Sequence, residues 1–227
     1  MTTPIKDIFA SFDKIPCFTK QDIIFDGSRK SLDERIWRAL KQYRILQLKK
    51  GFYITNFFYF HEPDKIKLQE FIASRIRHTS YLSLEYVLQK YHLLDGKYPI
   101  TSISVKTNYS YQNFFGLFQY ANLKKSLYNG FTEANFHAEK YHIATKAKAL
   151  FDYLYLNSDL HRSLKYLKHQ LMEKSGIQWD NFSQEDFNEF DQYVWKSNSK
   201  KMMRILHIIS NHFEEKKFDS WAKKLLK

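Results

Sequence analysis

Apolar residues recur at helical spacing from Leu32 through Ile36, Ala39 and Leu40 to Tyr43, which predicts an amphipathic helix with one buried stripe. Ser31 and Glu34 stand at the spacing of a capping box, so the helix is expected to open there. On the opposite side fall Ser31, Arg35, Arg38, Lys41 and Gln42. Ile45 to Leu48 and Phe52 to Thr55 read as two strands around Lys49, Lys50 and Gly51, where glycine permits the positive φ of a tight turn. Ahead of this unit, Ile5, Ile8, Phe9 and Phe12 predict a short amphipathic helix. Thr19 is placed to cap a second helix from Gln21 to Phe25. A helix buried on one side and basic on the other, beside a loop that can reach phosphates, is the pattern of a winged helix-turn-helix over residues 1–60.

The pattern changes at His61-Glu62-Pro63-Asp64, the expected boundary. Ile66 to Arg77 reads as helical. Ser80 to His92 reads as a further helix with its capping signal at Ser83, closed by Asp95-Gly96. Ile100 to Lys106 alternates and predicts a strand, as does Phe114 to Tyr120, with a polar stretch from Asn108 to Asn113 between them. Ala144 to Leu156 predicts a helix burying Ala147, Leu150, Phe151 and Leu154, and beyond Asn157 the leucines Leu160, Leu164, Leu167 and Leu171 continue near helical spacing. The expected class is α+β: the winged unit, a mixed α/β central unit over 66–156, and a helical C-terminal extension over 157–227.

Charge sharpens the picture only locally. The 227 residues carry a net charge of +12, but residues 1–60, 61–156 and 157–227 contribute +5, +4 and +3, so the excess is spread along the chain. Between residues 29 and 50, however, eight Arg or Lys face only Asp33 and Glu34. That density favours a polyanion, and duplex DNA is the expected partner. Arg29, Lys30 and Ser31 sit at the helix start, with Arg35 and Arg38 one and two turns on; Arg35 is the expected base reader. Lys41, Gln42, Lys49 and Lys50 are better placed for the DNA backbone.

Candidate chemistry elsewhere is sparse. The chain lacks a phosphate loop, a His-Glu-x-x-His helix and a Gly-x-Ser-x-Gly elbow, so it reads as a protein without catalytic residues, cofactor or metal. His137 and His142 are five apart, off one helical face, and His137 to His142 is expected to be a solvated loop. The single cysteine, Cys17, beside Pro16, reads as a small buried residue and excludes an internal disulfide. His92 is expected to close its helix with a hydrogen bond. The acidic group Asp180, Glu185, Asp186, Glu189 and Asp191 reads as a solvated helix face, the sharper alternatives being a shield for a basic partner or a contact with the chain's own cations. Without an apolar signal core or a run of 18 apolar residues, the expected location is the cytoplasm, with no membrane.

Four stretches resemble the AbiEi family of antitoxins from bacterial abortive-infection systems. Ser80-Tyr-Leu-Ser-Leu-Glu-Tyr-Val-Leu-Gln-Lys-Tyr-His-Leu resembles the family's Tyr-x-Ser-x-Glu segment, and Ile100 to Lys106 the strand after it. Phe115-Gly-Leu-Phe-Gln-Tyr is similar to its Phe-Gly-x-Phe-x-Tyr strand. His142 to Leu156 is similar to its Ile-Ala-x-x-x-Lys-Ala-Leu-x-Asp-x-Leu helix. The chain departs from the family at Leu93, where the family has glycine, and at Lys146-Ala147, where it has Pro-Glu. Over residues 18 to 156, the resemblance implies an antitoxin of a toxin-antitoxin pair. It would neutralise a nucleotidyltransferase toxin, without a stable complex with it. It would also repress its own operon by binding inverted repeats in the promoter. The alternative is a stand-alone regulator that senses a ligand or partner through residues 66–227. A nucleic-acid scaffold that binds RNA is the lesser reading.

Overall fold

Two apolar surfaces have to be covered in this chain, and each organises its own sheet. The computed structural model describes residues 7–158 and 163–225, the last eleven through their backbone alone; Ile5 and Leu160 lie outside the described residues. Among the described residues, the class is mixed α+β, with eight α-helices and two sheets.

The first sheet is antiparallel in the order β1 (Phe18–Thr19), β3 (Phe52–Thr55), β2 (Ile45–Lys49), and α1 (Arg29–Lys41) packs beside it. Phe9, Phe12, Phe18, Ile23, Ile36, Ala39, Ile45 and Tyr53 close the first core. The β2–β3 ribbon therefore forms as expected, around Gly51 at φ +76°. The other two helices expected here do not form. Residues Ala10–Lys14 make a 3₁₀ turn, and the segment capped by Thr19 is a three-residue turn, Lys20–Asp22, rather than a helix to Phe25. The reason is local: Asp22 reaches back to the Thr19 backbone N–H in a capping box, and Ile23 then leaves in extended conformation to enter the core. The start of α1 is also corrected. Its N-cap is Ser28, whose Oγ accepts from the Ser31 N–H at 3.2 Å, so Ser31 lies inside the first turn. At the other end Tyr43 takes φ 54° and turns outward, leaving the buried stripe.

The second sheet has six strands in the order β6 (Tyr109–Asn113), β7 (Gly116–Asn122), β5 (Ile100–Ser104), β4 (Ser80–Leu82), β9 (Glu139–Ala144), β8 (Phe131–Phe136). β5 runs parallel to β7 and β4 runs parallel to β9; the remaining pairs are antiparallel. β5 is buried along its whole length because both its faces are covered, as a central strand requires. On one face lies α3 (Lys65–Ile76), where Tyr120 donates to the Ala73 carbonyl at 2.7 Å and Tyr141 donates to Glu70 at 2.6 Å. On the other lies α5 (Lys146–Leu156), where Tyr81 donates to Asp152 at 2.9 Å. α5 itself is started by Thr145, whose Oγ1 accepts from the Lys148 N–H.

Three expectations for this unit change. Ser80–Leu82 is strand β4, and the helix after it, α4 (Leu84–Lys90), is shorter than expected. Its N-cap, Ser83, does not cap; the hydroxyl donates instead to Asp152 at 2.8 Å. The polar stretch from Asn108 to Asn113 is edge strand β6, and residues 131–144 form a β8–β9 hairpin with His137 in its turn, not a solvated loop.

The C-terminal part is helical in pieces: α6 (Leu164–His169), a π turn Gln170–Lys174, α7 (Gln184–Ser197) and α8 (Lys200–Leu225). Leu167 and Leu171 are buried, whereas Leu164 is half exposed. This part shares one core with the central unit: buried side chains run without interruption from Leu48, Ile54 and Phe58 to Ile208 and Ile209. At the His61–Asp64 junction Glu62 is buried and its carboxylate lies 2.5 Å from His137 Nε2, so the chain is held where the pattern changes. Lys201 ties α8 to the end of α5 by donating to the carbonyls of Leu154, Tyr155 and Asn157 at 2.6–2.9 Å.

A fully buried ion pair sits at the centre. Lys148 and Asp152, one turn apart on α5, are both inaccessible and 2.6 Å from each other. Asp152 also accepts from Tyr81 and Ser83, and Lys148 donates to the Leu127 carbonyl at 2.9 Å. Burial pushes the Asp152 carboxyl up and the Lys148 ammonium down, and their mutual attraction opposes both shifts. Gly130 (φ +76°) lets the chain pass beside this pair; a Cβ there would lie 2.4 Å from Tyr193 Oη. Removing one partner strands the other charge, so Lys148→Met is expected to cost about 3–5 kcal/mol in urea denaturation. The Lys148→Met/Asp152→Leu double variant should recover only part of that, because Tyr81 and Ser83 then lose their acceptor. A loss below about 1 kcal/mol for the single variant would show that the pair is not what holds α5 to β4.

A candidate nucleic-acid interface

Helix α1 presents its basic residues because its apolar side has somewhere to go. Ile36 and Ala39 are buried in the first core, with Leu32 and Leu40 packed at its margin. That fixes the rotation of the helix and leaves Arg29, Lys30, Arg38, Lys41 and Gln42 exposed, with Ser31 and Arg35 half buried. Among the described residues, none of these cations forms an ion pair with a carboxylate. The acidic side of the window is reduced as well, since Asp33 pairs with Lys20 from the preceding turn.

The face divides into two stripes. Lys30, Trp37 and Lys41 follow one helical line, with Trp37 60% exposed and the Lys41 ammonium 5.7 Å from its ring centroid. Ser31, Arg35, Arg38 and Gln42 follow the neighbouring line. The Arg35 guanidinium lies 5.0 Å over the Phe25 ring, which orients its planar fork. This second stripe borders a groove of about 1000 Å³ between α1, the Ala10–Lys14 turn and α2 (Asn56–His61).

The ribbon contributes unequally. Lys50 is exposed at the tip, beside Gly51. Lys49 is turned away: its ammonium donates to the Ile76 carbonyl at the end of α3 at 3.2 Å and lies 5.5 Å from the Tyr109 ring. Asn113 donates to the Leu48 carbonyl at 3.0 Å from the same side. The turn end of the ribbon is thus pinned to the central unit, and Lys49 holds it there. The structure brings Arg29, Lys30, Ser31, Arg35, Arg38, Lys41 and Gln42 onto one helix, with Lys50 nearby and Lys49 apart from them.

Arg44 escaped the sequence reading. Its Nε donates to Asp7 at 2.8 Å, and Nη1 and Nη2 make a two-pronged contact with the two oxygens of Asp13, each at 2.8 Å. Burial alone would lower its pKa, but these carboxylates hold it above the ordinary guanidinium value. Asp7 and Asp13 thereby share one guanidinium next to the basic face. No periodicity announces such a contact, because the partners are 31 and 37 residues apart. The exposed aromatics of α2, Phe57 and Phe60, were also missed, although their spacing against buried Phe58 is visible in the sequence.

Other candidates carry less. Burial pushes the Cys17 thiol up to about 12, so it stays protonated at neutral pH. His137 is engaged with Glu62 and His142 lies beside Phe131, ring centroids 4.9 Å apart. Among the described residues no group of three His, Cys, Asp or Glu is placed to hold a metal ion. His92 acts through its backbone: its N–H donates to Gln89 and its carbonyl accepts from Asn181. In the acidic group, Asp186 caps α7 with Ser183 and pairs with Lys146 at 2.9 Å, while Glu189 accepts from Thr145 and Tyr193. These two carboxylates make internal contacts. No helix is long and apolar enough to cross a membrane among the described residues.

No protein-family model matches the chain, and no curated protein is significantly similar to it.

The two-pronged Arg44 contact holds the amino-terminal turn against the ribbon. Arg44→Lys keeps the charge but loses the fork, and it is expected to lower stability by about 1 kcal/mol. Faster amide exchange at Phe12 and Ile15 should accompany the loss. Unchanged exchange there would show that the first core, not the fork, fixes this turn.

Proposed function

We propose that this chain is a DNA-binding regulator whose amino-terminal unit acts as a winged helix-turn-helix, in the antitoxin role that the resemblance to the AbiEi family implies. The observation that carries the DNA reading is the state of α1: among the described residues its cations form no ion pair with a carboxylate, while the nearby acids Asp33, Asp7 and Asp13 are engaged by Lys20 and Arg44, leaving Glu34 as the other exposed acid of the helix. The chain order of turn, strand, turn, helix and ribbon, with a three-stranded sheet behind, supports a winged unit built with 3₁₀ turns in place of its first two helices.

The antitoxin part is supported by how the resembling stretches meet. Tyr81 and Ser83 come from one of them, Lys148 and Asp152 from another, and all four join in the central buried network. Residues shared between motifs for packing reasons behave this way. In this reading the chain represses its own operon through α1 and antagonises a nucleotidyltransferase toxin through the remainder.

On duplex DNA, Arg38→Ala is expected to cost about 1–3 kcal/mol and to relax sequence preference, as loss of a base-reading guanidinium does. Lys50→Ala should weaken all sequences alike and flatten the salt dependence by about one unit of slope. Lys49→Ala should leave that slope unchanged, since its ammonium rests on the Ile76 carbonyl. Gel shifts across a salt series separate the three, and identical behaviour of Arg38→Ala and Lys50→Ala would remove the division of roles. Co-expression with a nucleotidyltransferase encoded beside the chain tests the antitoxin role. Rescue of growth is expected; failure to rescue by a chain that still binds DNA would leave the stand-alone regulator.

A further inference from the structure

The groove between α1 and α2 has a chemistry of its own. Along one wall stand Arg35 and Arg38 with the amide of Gln42; along the other stand Asn56, Phe57 and Phe60. Phe57 is 51% exposed and stacked on His61 with centroids 4.0 Å apart, and Phe60 is 70% exposed. The carboxylates at the groove's end, Asp7 and Asp13, share Arg44, so three guanidinium groups stand against two carboxylates in the lining and the excess positive charge lies on the Arg35 and Arg38 wall. A ligand that satisfies both walls needs negative charge at one end and a flat ring at the other. Two side-chain amides lie between, able to read a ring edge.

We propose that this groove binds a nucleoside phosphate, with the phosphates on Arg35 and Arg38 and the base against Phe57 and Phe60. A volume of about 1000 Å³ is ample for one nucleotide. The guanidinium fork suits phosphate, and an exposed phenyl face stacks on any base. Phe57 extends the stack through His61, whose Nδ1 is held 2.8 Å from the Phe57 carbonyl. The site goes beyond the DNA reading, because its aromatic wall is on α2, outside the basic helix. It shares Arg35, Arg38 and Gln42 with the basic face, so occupancy of the groove withdraws those three residues from a duplex.

The same chemistry is offered by a free nucleotide and by an unpaired nucleotide in a strand. Isothermal titration of the full chain with adenosine triphosphate, tripolyphosphate and a 5′-phosphorylated adenine tetranucleotide separates them. Adenosine triphosphate is expected to bind at least fivefold more tightly than tripolyphosphate. Arg38→Ala should weaken both, whereas Phe60→Ala should weaken the nucleotide about fivefold or more and leave tripolyphosphate unaffected. Tetranucleotide binding at least tenfold tighter than adenosine triphosphate, lost in the same two variants, would assign the site to a strand; weaker binding would assign it to the free nucleotide. Absence of binding to either at millimolar concentration overturns the proposal. So does equal binding of tripolyphosphate and nucleotide that Phe60→Ala does not change, which is charge attraction alone. Thermal melting of both variants, expected to match the parent because the two positions are exposed, is the control for folding. Loss of duplex binding in a gel shift would bear on the DNA reading and leave this titration's outcome as it stands.

Discussion

The buried contact between Lys148 and Asp152 constrains more of this molecule than any other interaction. It joins three pieces of chain that lie far apart in sequence: strand β4 through Tyr81 and Ser83, the turn at Leu127, and helix α5. A buried pair of this kind adds little net stability over a hydrophobic replacement, because desolvation offsets most of the attraction. What it imposes is register. Only one placement of α5 on β4 satisfies four hydrogen bonds at once, and any slip leaves a charge unpaired in the core. That explains why Ser83 gives up its role as a helix cap: its fully buried hydroxyl joins Tyr81 on one Asp152 oxygen, while the Tyr86 N–H in the first turn of α4 donates to Thr101 Oγ1 instead.

The ribbon carries the same logic outward. Successive residues of a strand point to opposite sides, and here the two sides belong to different cores. Tyr53 enters the first core and Ile54 the second; Ile45 and Leu48 divide likewise. With Lys49 on Ile76 and Asn113 on Leu48, the ribbon is fastened to the central unit beside its turn, while Lys50 in the turn stays exposed. The direction in which α1 offers its cations is thus fixed by the central sheet and, through it, by the buried pair. A basic helix on a flexible tether would bind any polyanion; one held in a single orientation can present guanidinium groups at a defined spacing.

Sequence periodicity recovered the elements whose burial is one-sided or complete. α1, α3, α5, β2, β3, β5 and β7 all stand within a few residues of where their apolar positions place them. It failed at sheet edges. β6 exposes or half-exposes every residue, so its pattern of tyrosine, serine, glutamine and asparagine carries no inward stripe to read. The β8–β9 hairpin buries only Phe136, Tyr141 and Ala144, too few to read as a stripe, and its turn uses His137 at φ 51° where a glycine would have announced it. β4 was hidden differently: Tyr81 and Leu82 are followed at once by the helical spacing of Leu84, Val87 and Leu88, and the three strand residues were absorbed into it. In the candidate site, the residue types on α1 were legible, but their division of labour was not. Whether a lysine meets water or a carbonyl is decided by segments 27 or more residues away.

That last point bears on how net charge should be used. A total of +12 describes this chain poorly, since many of its cations are structural: Lys20, Arg44, Lys49, Lys90, Lys146, Lys148 and Lys201 each hold an acid or a carbonyl. Each such contact removes a positive charge from the outward field and often neutralises an acid as well. On the face of α1 the second effect dominates. Lys20 and Arg44 engage Asp33, Asp7 and Asp13, and Arg29, Lys30, Arg38 and Lys41 are left without an ion pair among the described residues, with Glu34 the other exposed acid on the same helix. Local pairing, not composition, therefore decides how much of this helix's positive charge faces outward.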